Sequence, residues 1–516
     1  HNRPTTGLDN VLTDLIESLK ALAPGKRPTA RETADKLRFI RETPMRRLRH
    51  GVAIAALLLL IFGATKYTVD LRRERSAAVA ARNQAEDLVT FMLEDLSEEL
   101  RPVGKLDVLE KVARKALAYY EQASTGARGA AAFRRGSAFY RVGEVLDDQG
   151  DVDAALEATR SALATHQRLA LEEPDRADWQ NGLANDHLQL AGLLLQRGER
   201  AQALQSLHEG RRIAAGLVES DPANVEGQQT LGEAYYGLGI YDLSHDREQA
   251  GSAFRQAISI YRRLADKDPD KLLYKFRLAV FYGQGLGQIY QTLGREAESF
   301  AAVQQAYTCY EELTLADPSN SKWQHGFAWE NRRLGQHQQR QGQWQAALAS
   351  FRQAKAITER LLSLEPSQVD WQLGLGADHS SIGSIQESQG DLSAALDSYR
   401  LALAISQRLV DADPAHVEYQ LWLASDHNTV GSTLARLGRK TAAQAAWQRA
   451  LDLLAPLLRK PETVDVFALE AQAIALLSLD RADEAKPVVD RLRERGWFDG
   501  PVDDDLVALC EGQGWV

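Results

Sequence analysis

An acidic residue followed by proline recurs along this chain at an almost constant interval. The phrases EEPDRADW, SDPANVEG, KDPDKLLY, ADPSNSKW, LEPSQVDW and ADPAHVEY place Pro174, Pro222, Pro269, Pro318, Pro366 and Pro414 at gaps of 48, 47, 49, 48 and 48 residues. Gly150, Gly198, Gly294, Gly342, Gly390 and Gly438 keep the same period, with Asp246 in the one vacant slot. Two punctuators on one period define a two-element unit copied about seven times. A unit of this length cannot bury its apolar face alone, so neighbouring copies stack into a solenoid. Such a chain has a long exposed face, and binding is the first functional expectation.

The unit from Pro366 to Asp413 shows what is copied. Trp371, Leu373, Leu375, Ile382 and Ile385 fall at helical spacing between Val369 and Gln389. Gly390 tolerates the positive φ of a helix end, and Asp391 is placed to cap the next helix. Leu392, Ala395, Leu396, Tyr399, Ala402, Ala404, Ile405 and Leu409 continue the helical spacing until DADP stops it. Small residues align across the copies. Gly143, Ala191, Gly239, Gly287, Gly335, Gly383 and Gly431 form one column, and Ala155, Ala203, Gly251, Ser299, Ala347, Ala395 and Ala443 a second. Ala162, Ala306, Ala354, Ala402 and Ala450 belong to a third. With Phe351, Tyr399 and Trp447 at the large aromatic position of the second helix, this grammar resembles the tetratricopeptide repeat over roughly Thr125 to Lys460. The resemblance implies an all-α, right-handed superhelical solenoid of helical hairpins, with first helices lining the concave face.

The family unit has about 34 residues. The longer unit here reads as helices two turns longer than usual. No column reproduces the Lys/Asn clamp that some family members close on a carboxylate terminus, so capture of a peptide terminus is not implied. Beyond residues 125–460, a shorter pair, Val464–Leu477 and Ala482–Arg493, breaks the period, and 461–516 reads as an atypical capping repeat.

The formal net charge of −10 is uneven: residues 1–82 hold 16 Lys/Arg against 8 Asp/Glu, and the remainder stands at −18. An acidic repeat region argues against nucleic acid as a partner. Cys309 and Cys510 fit no metal spacing and read as two unrelated thiols. The first residue is His1, not Met, which leaves room for sequence upstream.

Gly51–Thr65 carries no charge. With Lys66 snorkelling and Tyr67–Val69 added, the run spans roughly 28 Å at ~1.5 Å per residue, close to the ~30 Å hydrocarbon layer. A single transmembrane helix is expected over 51–69, after a basic juxtamembrane segment, 43–50; the alternative is a buried core helix. Lys36, Arg38, Arg41, Arg46, Arg47 and Arg49 precede the run, and Lys66, Arg72, Arg73, Arg75 and Arg82 follow it, so the positive-inside rule gives no orientation. Residues 70–124 read as a helical stalk or linker. Its stripe of Val79, Leu88, Val89, Met92, Leu93, Leu96 and Leu100 suits either a homodimer through 70–100 or packing on the first repeat.

Residues 1–42 are not repeat sequence. They read as a helix, Asp9–Leu22, a turn with Pro24 and Gly25, and a second helix capped by Thr29. The Leu15–Ile16 pair and APGKRPTA resemble the last two helices of the C-terminal lobe of bacterial Ser/Thr protein kinases. Arg27 matches the family arginine that pairs with a glutamate of the activation segment. The resemblance covers about 40 residues and implies that the chain is the C-terminal part of a membrane-anchored kinase. In that layout the N-terminal piece is cytoplasmic, the span lies in a bacterial inner membrane, and the repeats are extracytoplasmic. The chain has no glycine-rich phosphate loop, paired lysine, HRD or DFG motif, so it is read as non-catalytic itself. ATP and Mg would be handled upstream, and no cofactor or metal is expected here.

Asp186–His187, Asp378–His379 and Asp426–His427 recur in register with the repeat. Successive copies stand about 8–10 Å or more apart, too far for shared zinc ligands; the histidine is expected to be a packing residue. For the groove, the register places Gln284, Gln288 and Gln291 of the fourth unit and Trp329, Arg332, Arg333, Gln336, Gln339 and Arg340 of the fifth on the concave face. Arginine and tryptophan dominate binding hot spots, and arginine suits carboxylate. These residues are therefore expected to form an exposed patch for an acidic protein or peptide, removable without loss of fold. The leading functional reading is the protein-binding sensor region of a receptor-like kinase. A membrane-tethered scaffold with no kinase activity, and a repeat domain for a small ligand, stand beside it.

Overall fold

The structure is a computed structural model that describes residues 7–20, 23, 25, 27–93, 106–122, 129–459, 466–495, 497 and 504–515. The chain divides into two units, His1–Leu88 and Val89–Val516.

The first unit holds α1 (Gly7–Leu19) and the bulk of α2 (Ala30–Leu93). α2 begins at a capping box: the Thr29 N–H donates to Glu32 Oε2 at 2.8 Å, and the Glu32 N–H donates to Thr29 Oγ1 at 3.2 Å. Leu15 is buried and Ile16 exposed. The expected turn is described in part only, since Pro24 lies outside the described residues. Every residue from Gly51 to Asp70 is exposed, including the run from Leu57 to Phe62. A core helix would be covered, and nothing among the described residues covers this run. Among the described residues, Gly51–Ala78 is the one stretch long and apolar enough to cross a membrane.

The second unit is helical throughout its described residues. After α3 (Leu106–Gln122), seven antiparallel hairpins follow: α4 (Gly129–Asp148) with α5 (Val152–Glu172), α6 (Ala177–Gln196) with α7 (Arg200–Ser220), and α8 (Val225–Asp242) with α9 (Arg247–Lys267). The fourth pairs an interrupted first helix with α12 (Glu296–Ala316). That first helix is α10 (Leu272–Val280), a π turn (Phe281–Gly287) and α11 (Gln288–Thr292). Then come α13 (Ser321–Arg340) with α14 (Trp344–Leu364), α15 (Val369–Ser388) with α16 (Leu392–Ala412), and α17 (Val417–Arg436) with α18 (Lys440–Leu457). A shorter pair, α19 (Val466–Ser478) and α20 (Ala482–Glu494), and then α21 (Asp504–Gly512) close the chain. Each hairpin packs on the next, so the core is a series of linked clusters rather than one centre. At its start, Val89 packs with Val112 and Tyr119 against Phe139, Val142 and Leu146, while Leu88 of the same stripe is exposed and Leu96 and Leu100 lie outside the described residues.

The two punctuators act by different means. At the end of α15 the Gly390 N–H donates to Glu387 O at 2.9 Å and the Asp391 N–H to Gln386 O at 2.9 Å, with Gly390 at φ 84°. This is a Schellman closure, which needs positive φ at the glycine. Asp246 does not substitute for that glycine. It adopts φ −141° and caps α9, accepting from the Gln249 N–H. At the other loop, a glutamine six residues past the proline folds back on the proline carbonyl. Gln180, Gln228, Gln324 and Gln372 do so at 3.0, 2.6, 3.4 and 2.7 Å.

The first small-residue column is a set of sockets. A Cβ on Gly239, Gly335, Gly383 or Gly431 would come within 2.6, 2.8, 2.7 and 2.5 Å of the rings of Phe254, Phe351, Tyr399 and Trp447. Real side chains do not approach so closely, so an aromatic ring on the second helix requires glycine opposite it on the first. In the second hairpin the same two positions are Ala191 and Leu207, a smaller knob with a larger floor. The one-residue excess of the fourth unit, the 49-residue gap from Pro269 to Pro318, coincides with the π turn Phe281–Gly287. A single inserted residue is absorbed as one wide turn, a feature common at functional sites.

Candidate ligand-binding cavity

The first helices of hairpins four to seven line a cavity of about 840 Å³. The π turn and α11 contribute Gln284 and Gln288, and α13 contributes His325, Trp329, Glu330, Arg332 and Gln336. Asp370, Leu373, Ala377 and Ser380 come from α15, Trp422, Ser425 and Asp426 from α17. Tyr310, Ile405 and Ser406 reach in from second helices, Ile240 from α8, and Phe467 from the capping pair. The volume falls in the usual ligand-site range of about 300–1,000 Å³.

Five of the nine residues expected in the groove therefore line one cavity: Gln284, Gln288, Trp329, Arg332 and Gln336. The other four do not. Gln291 is exposed beyond it, and Gln339 donates to Ser384 Oγ at 2.9 Å. Arg340 donates through Nε to Glu296 Oε1 at 3.0 Å. Arg333 donates to Gly283 O at 2.7 Å and, weakly, to Glu330 Oε2 at 3.5 Å.

The reading of Arg332 and Arg333 as exposed is corrected, while Arg340 is exposed as expected. Arg332 and Arg333 are 7% and 8% exposed. Arg332 donates through Nε to Asp378 Oδ1 at 2.8 Å, and through Nη2 to Asp378 Oδ2 and Gly374 O at 3.1 Å each. Its charge is spent on the next repeat, in a fork that satisfies both carboxylate oxygens. The Arg333 guanidinium lies under the π turn, where Gly283 and Gly287 leave room for the Glu330 and Arg333 side chains. Neither buried guanidinium is free to meet an acidic partner, and removing Arg332 or Arg333 would strand a buried carboxylate.

The Asp-His register is also reassigned. Among the described residues no group of three or more His, Cys, Asp or Glu side chains could hold a metal ion. Asp186 and Asp378 are more deeply buried than the histidines that follow them, and in all three pairs it is the aspartate that makes the inter-helix bond. His166 Nδ1–H donates to Asp186 at 2.6 Å, Arg332 holds Asp378, and the Ser406 hydroxyl donates to Asp426. Glu330 stands in the same column, 48 residues before Asp378. Burial pushes the carboxyls of Asp186, Asp378 and Asp426 up to about 6 and that of Glu330 up to about 7, against the pull of His166, Arg332, Ser406 and Arg333 respectively. Burial pushes His187, His325, His379 and His427 down, which keeps them neutral at pH 7. The acidic column was the available signal for Glu330 and Asp426. Ser406 and Phe467 had none, since one sits on a second helix and the other on the capping pair, and Trp422, though on a first helix, falls in a column occupied by glycine at 374 and 326.

No protein-family model and no curated protein matches the chain. Among solved structures, the apo form of RapI is similar at 12% identity over 70% of this chain and 88% of its own, with a TM-score of 0.49. The apo quorum sensor NprR from B. thuringiensis is similar at 12% identity, covering 81% and 99%, with a TM-score of 0.47. Aspartyl phosphate phosphatase F from Bacillus subtilis is similar at 16% identity, covering 76% and 92%, with a TM-score of 0.43. Nothing about the function of this chain follows from likeness at that level.

Proposed function

We propose that the repeat region is a non-catalytic receptor that holds a protein or peptide partner in the cavity of hairpins four to seven. The carrying observation is the cavity itself: about 840 Å³, walled by four successive first helices and by Trp329, which is 47% exposed. An exposed tryptophan beside a concave polar wall is the composition of a binding hot spot. Each buried acid here is bonded to a neighbouring helix or to a partner one turn away, which fixes the wall of the cavity in place. The test is site-specific photocrosslinking of the full chain in its own cells. A photoreactive residue at Gln336 should capture a discrete partner, and one at the exposed Arg352 of α14 should not. Equal capture at both positions overturns the reading.

The reading extends to the whole protein. The chain is proposed as the binding half of a membrane-anchored Ser/Thr kinase, crossing a bacterial inner membrane once through 51–69 with the repeats outside. Its supports are the kinase-like Leu15–Ile16 and APGKRPTA segments and the uncovered apolar run of α2. The coding sequence upstream of His1 decides it. A glycine-rich loop, lysine, HRD and DFG set is expected there; their absence would leave a tethered scaffold.

A further inference from the structure

The cavity wall is unequal in charge. Among the described residues Arg332 is the single arginine or lysine that lines it, and Asp378 and the Gly374 carbonyl already occupy its Nε and Nη2. Against it stand Asp370 and Asp426, and Glu330, which is buried and faces Arg333. Asp426 accepts from the Ser406 hydroxyl, and among the described residues no cationic side chain forms an ion pair with it. Asp426 is half-buried in the cavity wall, and a carboxylate partly withdrawn from water with only a hydroxyl for a partner gains more from an incoming cation than a fully solvated one would. Trp422 stands one helical turn before Asp426 on α17, so the ring and the carboxylate share a face, and Phe467 lines the same end of the cavity.

We propose that the cavity selects a peptide segment bearing a lysine or arginine side chain, with the cationic group against Asp426 and its methylene stem along Trp422 and Phe467. An incoming cation supplies the counter-charge that the fold withholds from Asp426, and the ring faces add cation–π attraction. This rests on the peptide-receptor reading above and reverses the acidic partner expected from the arginine count.

The probes are four hexapeptide pools, randomised except at one position fixed as arginine, lysine, norleucine or glutamate. Each is titrated against the full chain in detergent micelles, with tryptophan fluorescence and calorimetry as readouts. The arginine and lysine pools should bind at least ten-fold more tightly than the norleucine pool, and the glutamate pool most weakly. In Asp426→Asn, with helicity verified by circular dichroism, the preference should shrink to within about three-fold. The wild-type comparison needs no variant, so a folding defect in the mutant does not rescue the proposal. Equal binding of the lysine and norleucine pools, still lost in Trp329→Ala, overturns the charge selection and leaves the receptor reading standing. Binding by none of the pools overturns both.

Discussion

At the residue scale, the Arg332–Asp378 fork has the sharpest consequence. Replacing Arg332 by alanine leaves Asp378, fully buried, without its cation. Removing one partner of a buried pair costs about 3–5 kcal/mol, and protonation of Asp378 places the result at the lower end, about 3 kcal/mol. Urea denaturation of a chain beginning at Ser76 measures it; a change below about 0.5 kcal/mol, the size usual for exposed sites, would refute the buried fork. Asp426 offers a test in pH. Its carboxyl rises from an ordinary 3.8 to about 6 on folding, so the folded state binds the proton more tightly. Ionisation therefore subtracts stability progressively as pH rises from about 4 to about 6, and the loss is complete above that. Asp426→Asn removes this term, and its stability relative to wild type should grow by roughly 2 kcal/mol between pH 4 and pH 7. A difference flat across that window would show Asp426 to be solvated. These two residues also mark what sequence could not provide. Helical spacing put Arg332 on the correct face, but its partner lies 46 residues away on another helix, and a lone arginine on a face looks the same whether spent or free.

At the element scale, the sockets were half legible. The glycine column and the aromatic column were both visible at the 48-residue period, but that they are one feature, ring into gap, depends on how each hairpin crosses. Gly383→Ala drives a methyl to within 2.7 Å of the Tyr399 ring. Overpacking of this kind costs about 1–3 kcal/mol. Adding Tyr399→Leu recreates the Ala191–Leu207 arrangement of the second hairpin, and the double variant should recover much of the loss made by Gly383→Ala. A double-mutant cycle by thermal denaturation measures the coupling; strictly additive effects would mean the two positions do not meet. The irregular units show the limit of periodic reading. Gaps of 47 and 49 were plain in the sequence, yet only the fold reveals that the longer one goes into a π turn, and that Asp246, in the glycine slot, caps the next helix instead of closing the one before it.

At the scale of the whole molecule, the uncovered apolar run of α2 predicts that the 516-residue chain partitions with membranes and that a chain beginning at Ser76 does not. Equal distribution of both after carbonate extraction would remove the anchor. The capping pair predicts a second outcome. Phe467 belongs to α19, outside the seven hairpins, yet lines the cavity at 36% exposure. Phe467→Ala should weaken partner binding about ten-fold or more with the melting temperature little changed; unaltered affinity would return α19 to a purely protective role. Solenoid architecture was fully legible because period, punctuation and small-residue columns agreed. The cavity was legible only in part, because periodicity locates a face but not the depth to which successive units curve around it.

Arrays of copied units ordinarily change length with little penalty, since one more copy extends a surface without altering it. Ile240 of the third hairpin and Phe467 of the cap stand at opposite ends of the chain segment that walls this cavity. The copies between them are thus not interchangeable stock. Gaining or losing a single 48-residue unit in that stretch would change the bore of the chamber, so the copy number from the fourth hairpin to the cap is a dimension cut to its occupant, while the first two hairpins, which line none of it, stay free to vary.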